Sequence, residues 1–113
     1  LGAGKGGAEP PAVSRSVVFR PEARAELALA WAWYEEKRVG LGDELVVCAE
    51  AAIAGASRDP DLHRRVRGEV RRALVRRFPY GVFFVADDEE RLVLAIAHDR
   101  RSPGYWEARL SNE

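Results

Sequence analysis

A single cysteine, Cys48, stands in the whole chain, and methionine is absent altogether. One thiol closes no internal disulfide and completes no metal site, which fits a reducing cytosol better than an oxidising compartment. Cys48 is expected to be a small buried apolar residue and not a nucleophile. No apolar run is long enough to cross a bilayer, and the N-terminus has no apolar stretch, so neither a membrane partner nor a signal peptide is expected and the reading is cytoplasmic. An excess of charge is missing too: 18 Lys and Arg face 18 Asp and Glu, so net charge selects no partner. Gly2-Ala3-Gly4-Lys5-Gly6-Gly7 looks at first like a phosphate-binding loop. It lacks Ser or Thr after the lysine, no strand precedes it, and Pro10 and Pro11 stand where its helix should run. No cofactor and no metal are expected.

What is present describes a small soluble globular domain. The 113 residues, 47% hydrophobic and 32% charged, support one domain with one modest core. The charges are unevenly spread. Arg64, Arg65, Arg67, Arg71, Arg72, Arg76 and Arg77 crowd one stretch against Glu69 alone, while Asp87, Asp88, Glu89 and Glu90 gather elsewhere. A strong positive field on one face is therefore compatible with overall neutrality.

Residues 1–14, rich in Gly, Ala and Pro without a hydrophobic period, read as a disordered tail given no functional role, and residues 15–109 as the domain. Ser16 to Arg20 is a short strand by its β-branched and aromatic content. Pro21 suits the first turn of a helix, Glu22 and Glu26 suit its positive end, and Ala23, Leu27, Ala30, Trp31 and Tyr34 make its apolar face. Gly40 stops it. A second helix from Leu41 buries Leu45, Cys48, Ala49, Ala52 and Ala56, and its alanines allow a close antiparallel hairpin. Strand character resumes at Val66. Residues 70–77 alternate, with Arg72, Leu74 and Arg76 on one face and Arg71, Ala73, Val75 and Arg77 on the other. Phe78 to Gly81 reads as a turn, residues 80–86 and 92–98 as two further strands, and residues 103–109 as a last helical turn. Short loops force an antiparallel meander. The expectation is an α+β fold of order β-α-α-β-β-β: an N-terminal strand and two-helix hairpin packed on one face of a small, mainly antiparallel sheet, with the other face partly open and arginine-bearing.

Two stretches carry a family resemblance. One runs Phe19-Arg20-Pro21-Glu22-Ala23, Glu26-Leu27, Tyr34-Glu35 and Gly40-Leu41-Gly42. The other runs Arg71 to Tyr80 and closes with His98-Asp99-Arg100-Arg101-Ser102-Pro103 and Trp106. Together, from about residue 16 to 109, the chain resembles the RelE/ParE superfamily of plasmid-stabilisation toxins, whose fold agrees with the element order above. The resemblance implies a toxin of a type II toxin–antitoxin module, neutralised by a cognate antitoxin that wraps it, with operator DNA contacted only indirectly through that antitoxin. It implies two modes of growth inhibition. ParE-like members bind DNA gyrase; RelE-like members cleave mRNA in the ribosomal A site without a metal. An inactive homologue that only binds antitoxin is a third reading.

For metal-free RNA cleavage the chain offers His98 as acid or base. Arg76, Arg77, Arg100 and Arg101 can clamp phosphate, and Tyr80 and Trp106 can stack on a base. The catalytic set of that reading is His98, Arg76, Arg100 and Tyr80. No residue is clearly placed as a partner base. Arg71, Arg72, Arg76, Arg77, Arg101 and Trp106 are the candidate antitoxin- or target-binding residues, since rows of arginine on one strand repel each other unless an acidic partner lands on them. The His98 motif is closer to the ParE-like branch, so the ParE-like reading leads. The helix hairpin and the C-terminal segment would then be the contact surface. Trp31 and Tyr34 are expected in the core, and Trp33, off the apolar stripe, under the tail or in an interface.

Overall fold

The computed structural model describes residues 16–101 and 104–110; the tail expected over residues 1–14 lies outside them. Strand β1 spans Ser16–Phe19. Pro21 ends strand pairing, because it lacks an amide N–H, and its fixed φ starts helix α1 (Pro21–Lys37). Ala23 and Ala30 are buried, with Leu27 and Tyr34 packed against the same core. Trp31 departs from expectation. One step from Ala30 turns the helix by about 100°, so its ring lies at the edge of the hairpin, 39% exposed, and its Nε1–H donates to Asp43 at 2.9 Å.

The corner between the helices is built by one carboxylate and two glycines. Gly40 takes a left-handed φ of 91°, which glycine adopts without a Cβ clash. Glu35 accepts the N–H groups of Gly40 at 2.8 Å and Gly42 at 2.9 Å, occupying amides that a helix start leaves without partners. A Cβ on Gly42 would stand 2.5 Å from the Trp31 carbonyl oxygen, so the helices touch backbone to backbone there. Helix α2 (Leu41–Arg58) then buries Leu45, Ala49 and Ala56, with Cys48 half-buried beside them.

The sheet has five strands in the order β1-β5-β4-β3-β2. Strands β2 (Arg64–Arg67), β3 (Val70–Leu74), β4 (Tyr80–Ala86) and β5 (Glu90–His98) form an antiparallel meander, while β1 adds to β5 in parallel. The α+β class and the helix hairpin on one face stand as expected, but the arginine-rich stretch folds differently in detail. It makes a hairpin, β2 to β3, around Gly68 at φ 55°. Strand β3 ends at Leu74, not Arg77. Val75 donates its N–H to the Tyr80 carbonyl at 2.9 Å and Arg77 adopts φ 70°, so the turn starts at Val75 and Gly81 falls inside β4. Arg76 and Arg77 therefore sit in the turn. The alternating pattern carries no mark for that end, because the side chain of Val75 is still buried at 4% exposure.

Both faces of the sheet are packed. The helix side gathers Ala73, Val75, Val82, Phe84, Val93 and Ile96; the far side gathers Val70, Leu94, Ala95 and Trp106. A register shift after Phe83 sets Ala95 against Phe83 and Val93 against Phe84. Leu94 is the extra residue of a β-bulge, which lets Leu94 and Ala95 both face the far side. The C-terminal segment, with a short turn of 3-10 helix at Glu107–Arg109, lies over this face. Trp106 covers Phe83 at 5.6 Å between ring centroids. The far face is thus open only beside that segment.

Candidate functional site

Two grooves meet at the end of β5. The far-face groove, about 140 Å³, is bounded by Arg67, Arg72, Phe83, His98, Arg101 and Trp106, with Asp99 and Tyr105 at its margin. Arg72 is brought in by the register. It stands opposite Arg64 on one side and Phe83 on the other. Its stem lies over Gly81, where a Cβ would come within 3.0 Å of both Cγ and Cδ. The missing side chain at Gly81 is what allows an arginine to lie across the sheet towards His98.

His98 ends β5, and the chain turns sharply after it: Arg101 N–H donates to the His98 carbonyl at 2.9 Å. In the same turn the Arg100 N–H donates to His98 Nδ1 at 3.0 Å. A nitrogen that accepts carries no proton, so neutral His98 has its proton on Nε2 and presents a donor. The ring also stands edge-on to Tyr80 at 5.2 Å. Burial, and next the neighbouring Tyr34, push the Tyr80 phenol above its ordinary value. Burial and a hydrogen bond to Glu26 push Tyr105 up to about 12. Neither phenol accepts a proton near neutrality. Arg101 lies over the Tyr105 ring, 4.1 Å from its centroid, and Arg67 is ion-paired to Glu107 of the C-terminal segment.

The second groove, about 390 Å³, runs between α1 and the end of β5, and His98 and Arg101 line it as well. Its floor is apolar and aromatic: Leu29, Trp33, Tyr34, Tyr80 and Ile96. Leu29 is 72% and Trp33 53% exposed. Trp33 meets Tyr34 edge-on at 4.9 Å, and Lys37 Nζ sits 4.4 Å above its ring. At the other end Glu26 accepts the Ile96 N–H at 2.9 Å, the Tyr105 hydroxyl at 2.7 Å and both terminal nitrogens of Arg109, at 3.2 and 3.0 Å. Arg109 also donates to the Leu94 carbonyl at 2.8 Å.

The residues singled out from sequence divide into two groups. His98, Arg72, Arg101, Trp106 and Tyr80 come together around the end of β5. The others lie elsewhere. Arg71 points to the helix side of the sheet edge, donating to the His63 carbonyl at 2.8 Å and pairing with Asp61. Arg77 pairs with Glu44 at 2.9 Å, and Arg76 lines a separate groove beside α2. Arg100 is exposed and reaches the site only through its backbone N–H. Arg67, Gly81, Tyr105 and Glu26 belong to the site and were not singled out. Tyr105 could have been found by its place beside Trp106, and Arg67 by its place in the arginine run. Nothing local marks Glu26. Among the described residues no group of three His, Cys, Asp or Glu is arranged to hold a metal ion.

Comparison with solved structures places this architecture. A chain of the chromosomal ParDE TA system from P. aeruginosa superposes with a TM-score of 0.66 at 16% identity, over 74% of this chain and 95% of that one. A chain of the toxin–antitoxin complex RelBE2 from Mycobacterium tuberculosis superposes with a TM-score of 0.52 at 23% identity, over 76% of this chain and 99% of that one. The chain therefore has the RelE/ParE-like fold. No family model matches the sequence, and no curated protein matches it.

Proposed function

We propose that this chain is the toxin of a type II toxin–antitoxin pair, that it arrests growth in the ParE-like manner by binding DNA gyrase without chemistry, and that a cognate antitoxin neutralises it. The observation that carries this reading is the state of His98. Its Nδ1 is taken by the Arg100 N–H, and the two phenols nearest it hold their protons. The groove thus gathers cations around His98, whose Nδ1 lone pair is occupied and so is not free to take a proton from a ribose hydroxyl. The exposed Trp33 of α1 supplies an anchor of the type that dominates protein interfaces, and Leu29 adds exposed apolar area beside it.

A second reading rests on one observation. Arg72, Arg101, His98 and Trp106 line a single groove, a set that could hold phosphate and stack on a base in a RelE-like endoribonuclease. Purified protein assayed in parallel on gyrase supercoiling and on mRNA in translating ribosomes separates the two. The ParE-like reading expects loss of supercoiling, intact mRNA, and unchanged growth arrest by His98→Ala. Cleaved mRNA, with cleavage reduced about 10²–10⁴-fold by His98→Ala, would replace it by the nuclease reading. A chain that arrests no growth and is silent in both assays would overturn the toxin reading itself.

A further inference from the structure

Helix α2 turns Leu45, Ala49 and Ala56 into the core, and its opposite face carries a pattern that the fold itself does not need. Asp43, Val47, Ala51, Ala54 and Arg58 follow one another at steps of four, four, three and four, the spacing of a single stripe. All five are exposed, Val47 at 64%. The middle of the stripe is apolar, and its two ends carry opposite charge. Along one flank runs the groove of about 440 Å³ beside α2, which includes Cys48, Ala52, Gly55 and Ala73 and the exposed Leu74. Small side chains in stripe and groove let a second backbone come close. Glu50 lies off the stripe on the other flank, because one residue turns a helix by about 100°, and its carboxylate is left to solvent.

The stripe is symmetric about its centre. Asp43 and Arg58 stand at equal distances from the midpoint between Glu50 and Ala51, and so do Val47 and Ala54. An identical stripe laid antiparallel on it sets each Asp43 against an Arg58 and each Val47 against an Ala54, with the two ion pairs about 22 Å apart along the axis. A parallel stripe would oppose like charges instead. Antiparallel alignment also brings the positive end of each helix dipole to the negative end of the other. The charged ends are open to such a partner. Asp43 uses only Oδ1, on the Trp31 indole at 2.9 Å, and the Arg58 side chain enters no ion pair among the described residues.

We propose that a second copy of this chain is that partner: two molecules pack α2 antiparallel about a two-fold axis, with an Asp43–Arg58 pair at either end and Val47 of each seated against Ala54 of the other. A two-fold interface requires a self-complementary surface, and the charge order and spacing of this stripe supply one. Symmetry puts the two Leu74 side chains on the same side of the seam, where they add apolar area. The contact is one helix pair with little around it, at the small end of specific interfaces, so the dimer dissociates in the micromolar range or above. No α2 residue lines either groove at the end of β5. The dimer therefore leaves both grooves open, and it stands or falls apart from the toxin reading.

The test is sedimentation equilibrium of the wild type from about 1 to about 500 µM, a range that brackets a micromolar constant, with the folding of every variant checked by circular dichroism. A monomer–dimer equilibrium is expected, weaker as salt rises. Asp43→Arg and Arg58→Asp each set like charges against one another at both ends of the seam. Each should raise Kd at least about tenfold, or 1.4 kcal/mol. An equimolar mixture of the two should dimerise again, because each end of the mixed pair then joins opposite charges. That rescue is specific to an antiparallel seam in this register. Should Asp43→Arg fail to fold for want of the Trp31 contact, Val47→Glu and Ala54→Lys give the same comparison: each weak alone, tighter when mixed. A wild type that stays monomeric throughout overturns the proposal and leaves the stripe to a different protein. A dimer indifferent to both charge reversals overturns it, and so does a mixture that stays monomeric.

Discussion

Gly81 shows how much a single absent side chain can decide. Its lack of a Cβ leaves the strip of sheet over which the Arg72 stem runs, and strand pairing alone would not bring that guanidinium to His98. In Gly81→Ala the new methyl and the Arg72 methylenes compete for the same space, and the arginine swings away while the strand persists. The expected outcome is a stability change within about 1 kcal/mol, in the range of small packing changes, with Arg72 displaced in a crystal structure of the variant. An unmoved Arg72 would refute this account. The tyrosines offer a second residue-scale check. Tyr34, Tyr80 and Tyr105 are all held above the ordinary phenol value, by burial first, and they are the only tyrosines in the chain. Phenolate absorbance of the folded protein should therefore rise above pH 10, with Tyr105 last, at about 12. In denaturant the three should titrate near about 10. A folded-state pKa raised above the unfolded one means that the native state binds more protons between the two values, so stability falls as pH rises through that window. Native absorbance rising at pH 10 would contradict the burial of these rings.

At the scale of elements, the two helices and the strands at Ser16–Phe19 and Tyr80–Ala86 were legible because their signals are local: Pro21 and Gly40 as start and stop, alanines at helical spacing, β-branched runs. Gly42 belongs to this scale. It was read as part of the Gly40-Leu41-Gly42 motif, yet it fixes the distance between α1 and α2. Gly42→Ala would place a methyl 2.5 Å from a backbone carbonyl oxygen, which no side-chain rotation relieves. A loss of about 1–3 kcal/mol in urea unfolding is expected, the usual cost of overpacking, and an unchanged midpoint would show that the helices can part freely. The arginine-rich stretch was less legible. Alternation continues through Val75, so its period could not reveal that β3 ends at Leu74, and nothing in the period separates β2 from β3. The consequence for the site is direct. Arg76 and Arg77 leave the faces on which they were placed, and Arg71 turns to Asp61 and the His63 carbonyl, so of the arginines singled out there only Arg72 lines the groove with His98. Arg64 and Arg72, like Arg65 and Arg71, face each other directly across the hairpin, an arrangement that repels in water.

Across the whole molecule, the organising contact is one that no local pattern announces. Glu26 lies on the first helix, and its partners Tyr105 and Arg109 lie 79 and 83 residues further along. They fasten the C-terminal segment over the far face, and that segment supplies Trp106 and the ring beneath Arg101. Glu26→Ala would leave the Ile96 N–H without its acceptor and the Arg109 guanidinium without its carboxylate, with the Leu94 carbonyl as its remaining acceptor. The expected cost is about 3 kcal/mol, the lower end for breaking a buried pair, with earlier amide exchange at Ile96 and around Trp106 than elsewhere in the sheet. A loss below about 0.5 kcal/mol, typical of a neutral surface change, would show that the segment holds itself in place.

The parallel pairing of β1 with β5 gives this architecture a timetable. Among the described residues the first strand finds its only sheet neighbour in the last, and the clasp on Glu26 comes later still in the chain. During synthesis the helix hairpin can form early, but the sheet that carries His98 and Arg101 stays unclosed until the final strand has left the ribosome. The two grooves at the end of β5 therefore take shape only after all five strands have been made.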